Sequence, residues 1–232
     1  CVPFRKLCIA TFFVFNAFNT VAGFSFFIIV YYIFNGDAGV AGSWPAWFGS
    51  ASALATSFLV IPVITLLSQK LGKKKTFLVS QSISLLGYAS FWWCFQPADP
   101  WKMLLPLPLF AFGIGSLFTM MMSMTADVCD LNELETGARR EGVFGAIYWW
   151  MVKFGFAIAG LLSGLILAFV GFDQNVEVQT TSALEGLKLA YILVPVIGTL
   201  VAMAVMARYD LSEQRANEIR VELESRRGRI GL

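Results

Sequence analysis

Hydrophobic positions in this chain come in long unbroken runs, not in the alternating or three-to-four-residue patterns of half-buried elements. Six runs are free or nearly free of charge: about Leu7–Phe34, Ala46–Ser68, Thr76–Phe95, Met103–Ala126, Val143–Phe172 and Leu189–Ala207. Each is near the ~20 residues that a helix needs to cross a bilayer core. They are about twice as long as a barrel strand and apolar on all sides, so they read as helices. The connections are short and carry breakers: "FNGDAGVAGSWP", "LGKKK", "FQPADPW". Pro106, Pro108 and Pro195 fall inside or at the start of runs, where neighbouring helices can re-satisfy the carbonyls that proline frees. The pattern predicts an all-α membrane protein: a bundle of six transmembrane helices over residues 1–208, then a polar tail, 209–232, of helix-forming composition.

Composition agrees. The chain is 57% hydrophobic and 14% charged, against about half and a quarter in soluble domains. It has no histidine, which rules out imidazole metal ligands, a histidine proton relay and a Ser-His-Asp set. Cys1, Cys8, Cys94 and Cys129 form no C-x-x-C pair and read as small apolar thiols. Nothing resembles a phosphate-cradling glycine loop or a nucleic-acid-binding stripe, so the reading is neither an enzyme nor a nucleic-acid binder. Cys1 stands where an initiator methionine would, and the chain reads as a piece of something longer.

The basic residues set the orientation. With a cytoplasmic N-terminus, the inside segments hold Arg5, Lys6, Lys70, Lys73, Lys74, Lys75, Arg139, Arg140 and the tail arginines. The outside loops hold only Lys102 and Lys188. The positive-inside rule therefore places both termini in the cytoplasm. The "LGKKK" turn is a ready contact for anionic lipid. Gly49, Ala53 and Ser57 share one face of the second run, and Gly160 and Gly164 form a G-x-x-x-G in the fifth. Both are expected to serve close helix packing within one bundle.

The residue that breaks the pattern is Lys153, in "WWMVKFGFAIAG". It lies about ten residues into the fifth run, roughly 15 Å at 1.5 Å per residue, or half of a ~30 Å hydrocarbon core. A charge at that depth costs about 2.5–3.5 kcal/mol on insertion scales and needs a partner or a watery cavity. No Asp or Glu lies deep in any of the six runs. The partner is then a substrate, water, an acid outside these runs, or, on a purely structural reading, backbone carbonyls. Trp149 shares the face of Lys153 and Tyr148 is adjacent; together they are either a platform for a sugar ring or ordinary helix packing. In the first run, Phe12, Asn16, Asn19 and Gly23 share one helical face. The two amides either hydrogen-bond across the bundle or line a cavity. Gln81, Ser84 and Tyr88 form a weaker stripe in the third run.

Between the fourth and fifth runs lies "ADVCDLNELETGARREG". Asp127 and Asp130 are read at the C-terminal end of a helix, where the dipole disfavours acids. Something cationic should offset them, either Arg139 and Arg140 nearby or basic residues in another part of the protein; Glu133 and Glu141 add further acids. This set is expected to form a cytoplasmic charge network that opens and closes.

The stretch "ADVCDLNELETGARREGVFGAIYWWMVKFGFAIAG", with "GFDQNVEVQT" and "RYDLSEQRANEIRVELESRR", resembles the glycoside–pentoside–hexuronide:cation symporter family of the major facilitator superfamily. The likeness is close from Asp127 to Arg227 and by span pattern elsewhere. It implies a twelve-helix transporter of two six-helix halves with substrate at the midplane, this chain being the C-terminal half. It also implies that Lys153 and Trp149 lie at the sugar and cation region, and that Asp127, Asp130, Arg139 and Glu141 belong to cytoplasmic gating. The family's cation-binding aspartates lie in the N-terminal half. The expectation is a sugar or glycoside symporter of a bacterial cytoplasmic membrane, coupled to Na⁺ or H⁺ and needing no other cofactor. Its partners are membrane lipid and an N-terminal six-helix half. The alternatives are a same-fold transporter of a lysolipid or other amphiphile, and a non-transporting membrane scaffold.

Overall fold

The computed structural model describes residues 1–230 except 98, 174, 175 and 177; nothing is described beyond 230, nor for the side chains of 227, 229 and 230. Part of "GFDQNVEVQT" and the side chain of Arg227 therefore lie outside the described residues. Among those described there are only helices: α1 (Val2–Ile33), α2 (Ala38–Leu71), α3 (Lys73–Cys94), α4 (Pro100–Thr136), α5 (Glu141–Phe169), α6 (Thr181–Ala207) and α7 (Glu213–Ile230). All except α3 and α7 are long and apolar enough to cross a membrane. The 22-residue α3 is long enough but more polar, because it turns its polar stripe inward. Gln81 Nε2 donates to the Gly113 carbonyl and to Ser116 Oγ, both at 3.1 Å, and Ser84 Oγ donates to the Phe110 carbonyl at 3.0 Å. The helices approach so closely that a Cβ on Gly87 would lie 2.4 Å from the Phe110 nitrogen. Five of the six expected spans have the length and apolarity of a membrane crossing; the sixth, α3, pairs its polar groups with α4.

Local chemistry sets the boundaries. α1 carries Pro3 in its first turn, where the missing N–H costs nothing. Asp37 caps the start of α2, accepting from Val40 N at 2.9 Å, and the Thr180 hydroxyl accepts from Ala183 N at the start of α6. Gly72 alone joins α2 to α3, with φ +78°, a backbone that L side chains rarely adopt. α1, α2 and α4 each contain a π-turn, at Ile28–Ile33, Ala55–Val60 and Leu117–Met121.

Helix α1 is central, packed on α5, α6 and α4; α3 joins α4 to α6, and α2 lies outside against α4 and α3. One core fills the end of the bundle carrying Lys6, Lys73 and Arg139, hereafter the basic end, with Leu7, Phe77, Met121, Tyr148 and Met206. A second fills the opposite end with Ile28, Phe91, Phe95, Met103 and Tyr191. The tail forms α7, which buries Ala216, Ile219 and Leu223 and packs on the end of α4.

Three expectations need correction. Helix α4 does not stop near Ala126 but runs to Thr136, where Gly137 ends it in the left-handed conformation. Asp127 is thus more than two turns from the helix end, where the dipole is weak. Lys188 is not in a loop, because α6 begins at Thr181; it is buried, donates to Tyr32 Oη at 3.0 Å and lies over the Trp92 ring. The small-residue stripes are not packed within this bundle: a Cβ on Gly49, Gly160 or Gly164 would meet nothing within 4 Å.

Candidate functional site

Helix α5 carries the candidate solute site. Lys153 is the thirteenth of its 29 residues, about 18 Å along the axis from Glu141 at 1.5 Å per residue. It is exposed and has no hydrogen bond or ion pair among the described residues. Trp149, 46% exposed, shares its open face, and Phe154 beside it stacks on Trp150 at 5.1 Å. Tyr148 does not join them. It is 2% exposed and points into the core of the basic end, its ring set edge-on to Trp149. One residue along a helix is a turn of about 100°, enough to separate an open face from a buried one.

The stripe on α1 meets α5. Asn16 is buried and its Nδ2 donates to the Gly155 carbonyl at 3.2 Å, two residues from Lys153. Phe12 stacks on Phe154 at 5.7 Å, and a Cβ on Gly23 would sit 3.3 Å from Ser163 Oγ. Asn19 is half-buried and bonds back to the Phe15 carbonyl of its own helix at 2.7 Å. In this chain the two amides therefore satisfy backbone carbonyls, and Asn16 holds α1 to α5 at the level of Lys153.

At the basic end the acids divide into two groups. Arg139 gathers three of them: Nη1 donates to Asp130 at 2.9 Å and to Glu133 at 2.8 Å, and Nε donates to Glu141 at 3.0 Å. These acceptors hold the guanidinium pKa above its ordinary value, with Glu133 the largest influence. Asp127 belongs elsewhere. It is buried and accepts from Lys73 Nζ at 2.5 Å and Arg220 Nη2 at 3.4 Å. Arg140 joins neither group: it caps the start of α5 through its carbonyl, and its exposed side chain has no ion pair among the described residues. The expected single network is thus two, one on Arg139 and one on Asp127. The sequence left room for distant basic residues to answer Asp127 but could not single out Lys73 or Arg220, because both are far from it along the chain.

A feature that the apolar pattern concealed is a groove of about 560 Å³ between α1, α2 and α4. Phe18, Phe48, Phe110 and Phe118 line it, with Thr56 and Ser57 from the π-turn of α2. It holds no charged side chain, and Lys153 lies on the other side of α1.

Residues 4–213 match the family described as MFS/sugar transport protein. The chain is 30% identical over 169 residues to the glucuronide carrier protein homolog of Escherichia coli, covering 72% of this chain and 36% of that protein. It is 29% identical to the putative glycoside/cation symporter YagG of the same organism, over 53% of this chain and 27% of that one. It is 25% identical to the isoprimeverose transporter of Lactiplantibacillus pentosus, over 61% of this chain and 29% of that one. The matches thus span about a third of the length of these relatives.

Proposed function

Because this chain belongs to the MFS/sugar transport protein family, we propose that it is the C-terminal half of a cation-coupled symporter carrying a sugar or glycoside by alternating access. The solute and the coupling cation, Na⁺ or H⁺, are held near the midplane between this half and an N-terminal six-helix half. The observation that carries the reading is Lys153: a charge mid-way along a membrane helix, on an open face, with no partner among the described residues. A lysine so placed in hydrocarbon is expensive, so its partner belongs to the surface that covers this face. Trp149 supplies an aromatic plane beside it for a sugar ring.

The two open helices support the half-transporter arrangement. Of the most apolar stretch of α2 and of α5, only 17% is buried, against 61% in α4. The open face of α5 carries Gly160 and Gly164, which meet nothing within this chain and suit the close approach of another helix. The basic end faces the cytoplasm by the positive-inside rule, in a bacterial cytoplasmic membrane, with lipid around the remaining apolar surface. The Arg139 and Asp127 networks then lie at the cytoplasmic entrance, where gating contacts break and re-form. Names of transporters among the relatives favour translocation over catalysis.

A second reading, an amphiphile transporter of the same fold, is favoured by the groove, whose phenylalanines suit an acyl chain better than a hydroxylated ring. The deciding experiment reconstitutes the full-length protein in proteoliposomes and drives uptake with an inward Na⁺ or proton gradient. Gradient-dependent uptake of a glycoside, blocked by other sugars, supports symport of a sugar. Uptake blocked only by lysophospholipid transfers the assignment to an amphiphile, and no gradient dependence overturns the symport reading.

A further inference from the structure

The basic end contains a cavity of about 220 Å³, separate from the groove and from Lys153. It lies where the α2–α3 turn meets the segment leading into α7. Three successive lysines, Lys73, Lys74 and Lys75, line it, with two acids, Asp127 and Glu213. The acids are already engaged. Asp127 accepts from Lys73 and Arg220, and Glu213 Oε2 accepts from the Lys73 backbone N–H at 2.8 Å, at the N-terminus of α3. Positive capacity is left over. Lys74 Nζ donates only to the Tyr209 carbonyl, at 3.0 Å, and Lys75 has no partner among the described residues.

The second observation is Tyr209. Tyr209 is one of the residues around the cavity and is 5% exposed; its phenol oxygen is buried beside it with no hydrogen-bond partner among the described residues. Burial, with Asp127 and Asp210 nearby, pushes that phenol well above its ordinary pKa, so it keeps its proton and is a donor. A buried O–H without an acceptor is costly, and an oxyanion in the cavity would satisfy it. The floor is apolar, with Met124 and Leu211 both buried.

We propose that this cavity binds a phosphate group, held by Lys74, Lys75 and the Tyr209 hydroxyl, with carbon substituents resting on Met124 and Leu211. Lysines recognise phosphate as point charges, and the N–H groups at the start of α3 add a favourable dipole. Glu213 already occupies that helix start through its own carboxylate, so the tail competes with the ligand for the same donors. The phosphate comes either from an anionic lipid headgroup at the membrane surface or from a soluble organic phosphate.

The test measures calorimetric binding to the full-length protein in detergent micelles, with phosphatidic acid in one arm and glycerol 3-phosphate in the other. Phosphatidylcholine is the control. Saturable binding in the first arm alone identifies a lipid, and in the second alone a soluble phosphate. In either case the paired substitution Lys74→Gln and Lys75→Gln should weaken binding about tenfold or more, and Tyr209→Phe about threefold to tenfold. Glu213→Gln should tighten it, and Lys102→Gln, at the opposite end, should leave it unchanged. Tyr209→Phe removes one oxygen and keeps the buried ring, so it separates binding from folding. Binding in neither arm, or binding that Tyr209→Phe and the lysine substitutions leave untouched, overturns the proposal.

Discussion

Asp127 shows how a single carboxylate ties distant segments together. It is buried between Lys73 of α3 and Arg220 of α7, and so joins α4 to both. Replacing it with Asn keeps the volume and removes the charge that both cations face. Arg220 is half exposed, which weakens its share through solvent screening. We expect Asp127→Asn to cost about 1–3 kcal/mol, read as a lower apparent melting temperature in detergent. The Arg139 cluster is more open, the arginine side chain being 40% exposed. Arg139→Gln should therefore cost no more than about 1 kcal/mol, and the difference from the parent should shrink as salt is raised. Equal losses for the two variants would contradict the division into a buried and an exposed network.

At the scale of elements, the contrast between packed and open glycines is the informative one. Gly87 of α3 lies against the backbone of α4, and its would-be Cβ, 2.4 Å from the Phe110 nitrogen, cannot be accommodated by a rotamer change. Gly87→Ala should push α3 from α4, weaken the Gln81 and Ser84 hydrogen bonds and destabilise the fold by about 1–3 kcal/mol. Gly160→Leu meets nothing within this chain, so it should leave the stability of the separate six-helix piece unchanged while reducing assembly with a co-expressed N-terminal half. Thermal melts and co-purification yields check the two outcomes. The helices themselves were legible in the sequence because charge-free runs of bilayer length leave few alternatives. Their ends were less so. The extension of α4 to Thr136 is polar and lies beyond the apolar run, and the early start of α6 hides Lys188 among rings of α1 and α3.

For the whole molecule, the sequence located the unusual lysine and its depth by counting residues, and the structure shows it on an open face. Helical spacing left Asn16 and Asn19 either bonding across the bundle or lining a cavity, and Tyr148 either beside Lys153 as a sugar platform or in ordinary packing. Only three-dimensional packing reveals that Asn16 pins α1 to α5, Asn19 bonds within α1, and Tyr148 fills the core. The tail was legible as a helix from its composition, but not as one docked through Ile219, Leu223 and Arg220, because its partners are on α3 and α4. Both open helices, α2 and α5, carry apolar surface that this bundle does not cover. In the arrangement we propose, that surface lies against lipid and a second half, with Lys153 on the side of the second half, since lipid alone offers it no partner at that depth.

The central claim is that Lys153 faces the transported solute or its coupling ion. The most direct measurement is gradient-driven glycoside accumulation by the full-length transporter in proteoliposomes, comparing the parent protein with Lys153→Gln at matched, folded reconstitution. We expect accumulation to fall by about tenfold or more, a loss of at least ~1.4 kcal/mol of coupling or binding. Accumulation and cation dependence equal to the parent's would contradict the account.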